Sequence, residues 1–189
     1  MAFVLDILAT VLLFAASIIA WWRAGRARIS SRTLIRFAAV LFAALATAWV
    51  LRLAGFADLA PAVAMIALSL GGTALCLGLF AVLAHPLPPL VSALGLMLAL
   101  FAGVAAALAG QPLYALSIAV LGSLLTSATA LGGFFQGKRR GLLALGAVLA
   151  IPLGGFALLD GAFDASLILF AAGLIGAARA SEPGIESKG

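Results

Sequence analysis

Seven apolar runs, each close to the length that crosses a lipid bilayer, recur along the 189-residue chain. About 20 apolar residues in a helix span the hydrocarbon core, and a helix satisfies its own backbone hydrogen bonds where water is absent. Hydrophobic side chains make up 66% of the sequence and charged ones 9%, whereas a soluble domain is about half apolar and a quarter charged. The sequence therefore predicts an all-α, polytopic membrane bundle of seven transmembrane helices.

Short breaker segments separate the runs and set the predicted helix ends. Pro61 suits the first turn of a helix, where its missing N–H costs nothing, and the prolines between residues 86 and 89 end the preceding run. The predicted helices cover residues 3–20, 34–51, 62–84, 90–109, 113–135, 142–159 and 165–178. We expect Pro152 to kink the sixth helix. The chain is then a single transmembrane domain, residues 1–180, with a polar cytoplasmic tail, residues 181–189.

The charges between the runs predict the orientation. Basic residues collect on one side of the membrane: Arg23, Arg26, Arg28, Arg32 and Arg36 after the first helix, Lys138, Arg139 and Arg140 after the fifth, and Arg179 and Lys188 at the end. The other side collects Asp6, Asp58, Asp160 and Asp164, with Arg52 as its basic residue. Because Lys and Arg in short loops favour the cytoplasm, the N-terminus is predicted outside and the C-terminus inside. We expect a multi-pass protein of the plasma membrane, specifically a bacterial inner membrane.

A comparison of the chain with itself at an offset of 51 residues indicates an internal repeat. Residues 90–110 match residues 141–161 at about nine of roughly 21 positions, where this composition gives about three by chance. The matches include two ladders of small residues, Gly95, Ala99 and Gly103 on the fourth helix and Gly146, Ala150 and Gly154 on the sixth. Such ladders let helices approach closely. The offset spans two helices and so predicts parallel helical hairpins, with a coincidence of composition as the alternative.

Two helices carry mild polarity at membrane depth. The third places Ser69, Thr73 and Cys76 on one helical face, and the fifth does the same with Ser123, Thr126 and Ser127. These residues are candidates for lining a path for a neutral or lipid-like solute. The alternative is structural, since small hydroxyl residues bond to carbonyls of their own helix and allow tight packing. Charged residues, the usual marks of proton relays, are absent from the helix centres.

Two further features have a functional and a structural interpretation. His85, the only histidine, is a candidate cytoplasmic gate or pH sensor, or else a polar cap at a helix end. The five arginines after the first helix, together with Trp21 and Trp22, are candidates for contacting anionic lipids or an acidic partner at the cytoplasmic face. Their alternative role is to set the topology.

The sequence leaves two function classes open. The first is a small transporter or channel-like protein for an uncharged or lipid-like solute. The second is a non-catalytic membrane subunit or scaffold, whose small-residue ladders pack against each other, against a membrane-protein partner or in a homo-oligomer. An enzyme ranks third, because the positioned acids, bases or metal ligands that catalysis needs are not recognisable. We predict no cofactor and no metal, since no cluster of His, Cys or carboxylate residues is recognisable. We also predict no nucleic-acid partner, because the basic residues behind the net charge of +5 lie in short segments between the apolar runs.

Overall fold

The computed structural model describes residues 2–27, 29–55, 59–84, 87–135 and 139–182. These residues form seven long helices: α1 (Ala2–Ala24), α2 (Ile29–Leu53), α3 (59–83), α4 (Pro89–Ala109), α5 (Pro112–Phe135), α6 (Arg139–Leu159) and α7 (Phe163–Ala180). Helix α3 joins Leu59–Ile66, a π-helical segment Ala67–Gly71 and Gly72–Leu83 without a break. Each helix is long and apolar enough to cross a membrane. The predicted all-α, seven-helix architecture is confirmed, and the chain is an integral membrane protein.

The helices extend further than the apolar runs predicted. Helix α1 continues to Ala24 instead of residue 20, and α2 begins at Ile29 instead of residue 34. Most of the basic segment is therefore helical. A helix can continue past the hydrocarbon because the stems of Arg and Lys lie along apolar surface while their charged heads reach water. Helix α6 runs through Pro152 as one helix, so the kink stays a prediction.

Helix α3 lies at the centre of the bundle and packs against α2, α4, α5, α6 and α7. The other helices follow one another around it in the order α2, α1, α7, α6, α5, α4. In the most apolar 18-residue window of α3, 72% of the residues are buried, against 17% in that of α4. The chain therefore encloses its third helix and leaves its fourth at the periphery.

Alanine and glycine make up most of the interior, and the side chains of leucine, isoleucine and a few aromatic residues fill much of the rest. Helices in lipid gain little from the hydrophobic effect, so close packing between small residues holds them together. The rings of Phe42 on α2 and Phe170 on α7 meet at 5.1 Å between centroids, and both side chains are almost fully buried. Gly71 on α3 faces Phe42, and Gly154 on α6 faces Phe170, so the two glycines leave room for this aromatic pair.

The two ends of the bundle differ in charge. At the basic end, Arg23 and Glu182 form a salt bridge with 3.4 Å between their side chains. The backbone carbonyl of Glu182 also accepts a hydrogen bond from the guanidinium of Arg140 at 3.0 Å. These contacts join α1, α6 and the end of α7, so the first residues of the predicted tail are held. Residues 183–189 lie outside the described residues.

The opposite end, the acidic end, carries Asp6, Asp160 and Asp164. Glycines with positive φ end α2, α4 and α6 there, as shown by φ values of 99° for Gly55, 63° for Gly110 and 81° for Gly161. Glycine adopts this left-handed conformation without a Cβ clash, which lets a helix stop abruptly. The two ends match the predicted loop charges, while the orientation of the bundle in the membrane stays a prediction.

Candidate functional site

The backbone of α3 departs from α-helical geometry at the residues where its polar face begins. In the π-helical segment Ala67–Gly71, all five residues are buried, and the N–H of Gly72 donates to the carbonyls of Leu68 and Ser69. Short π-helical turns inside α-helices are often found at functional sites. The sequence analysis did not predict this segment, which lies in the most enclosed helix of the bundle.

Ser69 lies within the π-helical segment and bonds to a neighbouring helix. Its Oγ donates to the backbone carbonyl of Ala99 on α4 at 2.7 Å. The helices can approach this closely because a Cβ at Gly103 would already lie 3.1 Å from the Cα of Ile66. The predicted ladder on α4 therefore faces α3, with Gly95 beside Leu77, Ala99 beside Ser69 and Gly103 beside Ile66.

Further along α3, the predicted polar faces of α3 and α5 meet each other. The Sγ of Cys76 lies 3.6 Å from the Oγ of Ser123. The Oγ1 of Thr126 donates to the carbonyl of Gly122 at 2.8 Å and approaches that of Cys76 at 3.3 Å. Ser123 also donates to the carbonyl of Ala119 at 2.7 Å. We call this contact of Cys76 on α3 with Ser123 and Thr126 on α5 the hydroxyl seam.

Thr73, the remaining candidate on α3, differs from the other buried hydroxyl candidates. Its side chain is 5% exposed, yet its Oγ1 has no hydrogen-bond partner among the described residues. A buried hydroxyl usually has a partner, because leaving it unsatisfied costs about 1–3 kcal/mol. Ser127, the last candidate, is half-buried on α5. The structure therefore brings Cys76, Ser123 and Thr126 together, while Ser69 faces α4.

The seam is closely packed in this structure. A Cβ at Gly72 would lie 3.0 Å from Cγ2 of Ile151 and 3.2 Å from the Cβ of Ala119, and a Cβ at Gly122 would lie 3.4 Å from that of Cys76. Helices α3 and α5 carry no Asp, Glu, Lys, Arg or His. The seam offers hydroxyl groups and a thiol without a charge, and a solute would fit between α3 and α5 only if the two helices separated.

The two small-residue ladders contact different neighbours. The α4 ladder packs on α3, whereas on α6 Ala150 packs against Gly173 of α7 and Gly154 against Phe170. Gly146 is exposed, and a Cβ there would meet no described atom within 4 Å. Matching positions of the proposed repeat thus have different surroundings, and the ladders do not pack on each other. The repeat itself stays a prediction.

Several basic candidates bind to groups of α1 and of the turn that follows it. Arg36 donates from Nε to the carbonyl of Trp21 at 3.2 Å, and its guanidinium lies 4.9 Å from the centroid of that ring. Arg26 stacks on Trp22, also at 4.9 Å. Arg32 donates to the carbonyl of Ala27, and Arg23 forms the salt bridge described above. These contacts place charged heads beside tryptophans at the basic end, while binding of anionic lipid stays a prediction.

Two candidates, His85 and Arg28, lie outside the described residues.

The acidic end holds a feature that sequence reasoning missed, a cavity lined by residues that include Trp49, Arg52 and Phe163. The sequence indicated only that Arg52 lies on the side of the membrane that carries the aspartates, because the contact of Trp49 and Arg52 with Phe163 depends on the packing of α2 on α7.

No charged residue of the described chain lies in the hydroxyl seam, so its chemistry is limited to hydrogen bonding and van der Waals contact with a solute. Comparisons with protein-family models, with curated proteins and with solved structures gave no match for this chain.

Proposed function

We propose that the protein transports an uncharged or lipid-like solute along a path that opens at the hydroxyl seam between α3 and α5. The observation that carries this proposal is the overlap of the π-helical segment with the polar face of the most buried helix. Ser69 lies within the segment and Thr73 follows it by two residues. Irregular backbone and an unsatisfied hydroxyl are both costly in lipid, and a path for a solute gives them a role.

The π-helical segment supplies a physical route to opening. If its wide turn relaxes to an α-helical turn, one half of α3 rotates relative to the other by about 100°, which is the angle that one residue contributes to an α-helix. The hydrogen bond from Ser69 to Ala99 then breaks, the side chain of Cys76 changes its position against α5, and the buried hydroxyl of Thr73 turns with it. The seam lacks charges, so a neutral solute meets no fixed electrostatic barrier there.

Solute flux into reconstituted vesicles tests this proposal. Two probes cover the solute classes: glycerol, followed by vesicle swelling, and a fluorescent short-chain phosphatidylcholine, followed by its accessibility to an impermeant reductant. We expect protein-dependent flux of at least one probe. Thr73→Leu and Ser123→Leu should each lower that flux by about tenfold, the effect of about 1.4 kcal/mol on a barrier.

Ser117→Leu is the matched control, because Ser117 is an exposed hydroxyl residue on the same helix as Ser123 and bonds to the carbonyl of Tyr114. Its flux should equal that of the original protein. The proposal fails if neither probe moves faster than in empty vesicles, or if Ser117→Leu and Ser123→Leu have the same effect.

A second candidate function is that of a non-catalytic membrane subunit, and α4 favours it. This helix is the least buried of the seven and packs only on α3 and α5 among the closer helix contacts. Its exposed face carries large apolar side chains: Leu94, Leu98, Phe101, Val104 and Leu108. If α4 binds a partner or a second copy, purification in a mild detergent should yield a complex. A monodisperse, lone monomer would contradict this role.

A further inference from the structure

At the acidic end, five helices enclose a cavity of about 190 Å³. Its lining comes from α2, α3, α5, α6 and α7 and includes Trp49, Arg52, Ala64, Met65, Leu158 and Phe163. We propose that this cavity binds an amphiphile whose head carries an oxyanion, a fatty carboxylate or a lipid phosphate, together with the first part of its acyl chain. This site is separate from the hydroxyl seam and does not rest on the proposed transport.

The guanidinium of Arg52 supplies the charge that recognises an oxyanion. It lies 4.7 Å from the ring centroid of Trp49 and 4.8 Å from that of Phe163. Stacking of this kind uses the face of the guanidinium and leaves the N–H groups on its edge available. Those groups have the fork geometry that binds a carboxylate or phosphate through two hydrogen bonds.

Trp49 supplies a second donor beside Arg52. Its side chain is 5% exposed and lines the cavity, and its Nε1 has no hydrogen-bond partner among the described residues. A buried indole N–H usually finds an acceptor. Its ring also packs against Phe163 at 4.4 Å between centroids, which fixes the indole in place. An oxyanion bound by Arg52 would accept from this N–H as well once it displaced the atoms that cover Nε1.

The remaining walls suit an acyl chain. Apart from Arg52 and the indole N–H, every lining side chain among the described residues is apolar, and the lining includes Ala64, Met65 and Leu158. A volume of about 190 Å³ is below the roughly 300–1,000 Å³ of sites that enclose a drug-sized ligand. The cavity therefore holds a head and the start of one chain, with the rest of the chain outside it. Arg52 and Pro61 are exposed, so the cavity reaches the surface.

Quenching of Trp49 fluorescence by brominated amphiphiles tests this site. The background is the full chain with Trp21→Phe and Trp22→Phe, which leaves Trp49 as the only tryptophan, in neutral maltoside micelles that contain no oxyanion. The probes are a brominated fatty acid, a brominated phosphatidylglycerol and a brominated monoacylglycerol. We expect saturable quenching by one or both anionic probes, relieved by the same amphiphile without bromine. Which of the two binds identifies carboxylate or phosphate as the natural head.

Three variants separate this site from general partitioning into the micelle. Arg52→Gln should weaken binding of the anionic probe by about tenfold, as loss of a charge-assisted hydrogen bond does. Arg179→Gln removes an exposed arginine at the other end and should change nothing. Ala64→Leu fills the cavity without altering its charge and should also abolish saturable quenching, which guards against misfolding as the cause in Arg52→Gln. Equal quenching by the neutral monoacylglycerol, or quenching that survives both Arg52→Gln and Ala64→Leu, would overturn the proposal.

Discussion

Replacing Gly154 with leucine should destabilise the bundle by about 1–3 kcal/mol, the cost of forcing a large side chain into a packed core. A Cβ at this position would lie 2.7 Å from Cε1 and 2.9 Å from Cδ1 of Phe170, closer than carbon atoms normally approach. Phe170 cannot easily move away, because its ring packs against Phe42 in the interior. The measurement is reversible unfolding in mixed micelles, followed by circular dichroism.

Gly146→Leu is the matched control on the same helix. Gly146 belongs to the same small-residue ladder as Gly154, but a Cβ there would meet no atom within 4 Å and the residue is exposed. Leucine should be neutral or slightly stabilising at this site, because glycine costs about 1 kcal/mol in a helix interior. Equal destabilisation by the two variants would show that the described packing of α6 on α7 is wrong.

This pair of variants also separates the packing that the sequence predicts from the packing that it does not predict. The spacing of Gly146, Ala150 and Gly154 correctly indicated a face without large side chains, because small residues four apart share one side of a helix. It could not indicate that Ala150 and Gly154 pack on α7 while Gly146 is exposed. Helices α6 and α7 overlap at this level, since Leu143 and Ala147 lie against Gly176 of α7, so Gly146 is exposed because of the direction in which it faces. Residues four apart drift by about 40° around a helix, and which side of α6 faces α7 is a tertiary property.

The fold class followed from the sequence because membrane depth imposes a simple requirement. A run of about 20 apolar residues has to be helical in lipid, and seven such runs gave seven helices. Helix ends were less accurate, since arginines beside α1 and α2 extend the helices beyond the hydrocarbon. The internal π-helical segment had no recognisable signal, because Ala67–Gly71 has the same apolar and small residues as the turns around it.

The candidate site was predicted in part. The spacing of polar residues predicted one polar face on α3, with Cys76, and another on α5, with Ser123 and Thr126. The structure brings these two faces together. Spacing also grouped Ser69 with Cys76, yet Ser69 bonds to α4. A π-helical turn has more residues per turn than an α-helix, so residues on either side of it lose the alignment that an α-helical count assumes. The cavity at Trp49 and Arg52 needs five helices to form, and no local pattern contains it.

If a solute passes between α3 and α5 as we propose, the hydroxyl seam has to open, and a disulfide across the seam tests this. Cys76 is the only cysteine of the chain, and its Sγ lies 3.6 Å from the Oγ of Ser123. In the variant Ser123→Cys the two thiols would be neighbours across α3 and α5, within reach of the side-chain geometry that a disulfide needs. An added oxidant would form the bond and a reductant would break it, with mass spectrometry of alkylated thiols reporting which form is present.

The matched control is Ser117→Cys, which places an exposed thiol on the same helix and away from Cys76. Oxidation should leave its two thiols unbridged within one chain and its flux unchanged. Any loss of flux in Ser123→Cys that also appears in Ser117→Cys would then reflect the oxidant itself.

The measurement is the flux of the transported probe into vesicles that contain Ser123→Cys, compared between the reduced and the bridged protein. We predict that flux in the bridged protein falls by about tenfold or more, as a rise of about 1.4 kcal/mol in the barrier would give, and returns when the disulfide is reduced. If the bridged protein carries the probe as fast as the reduced protein does, the seam does not open during transport and the account is contradicted.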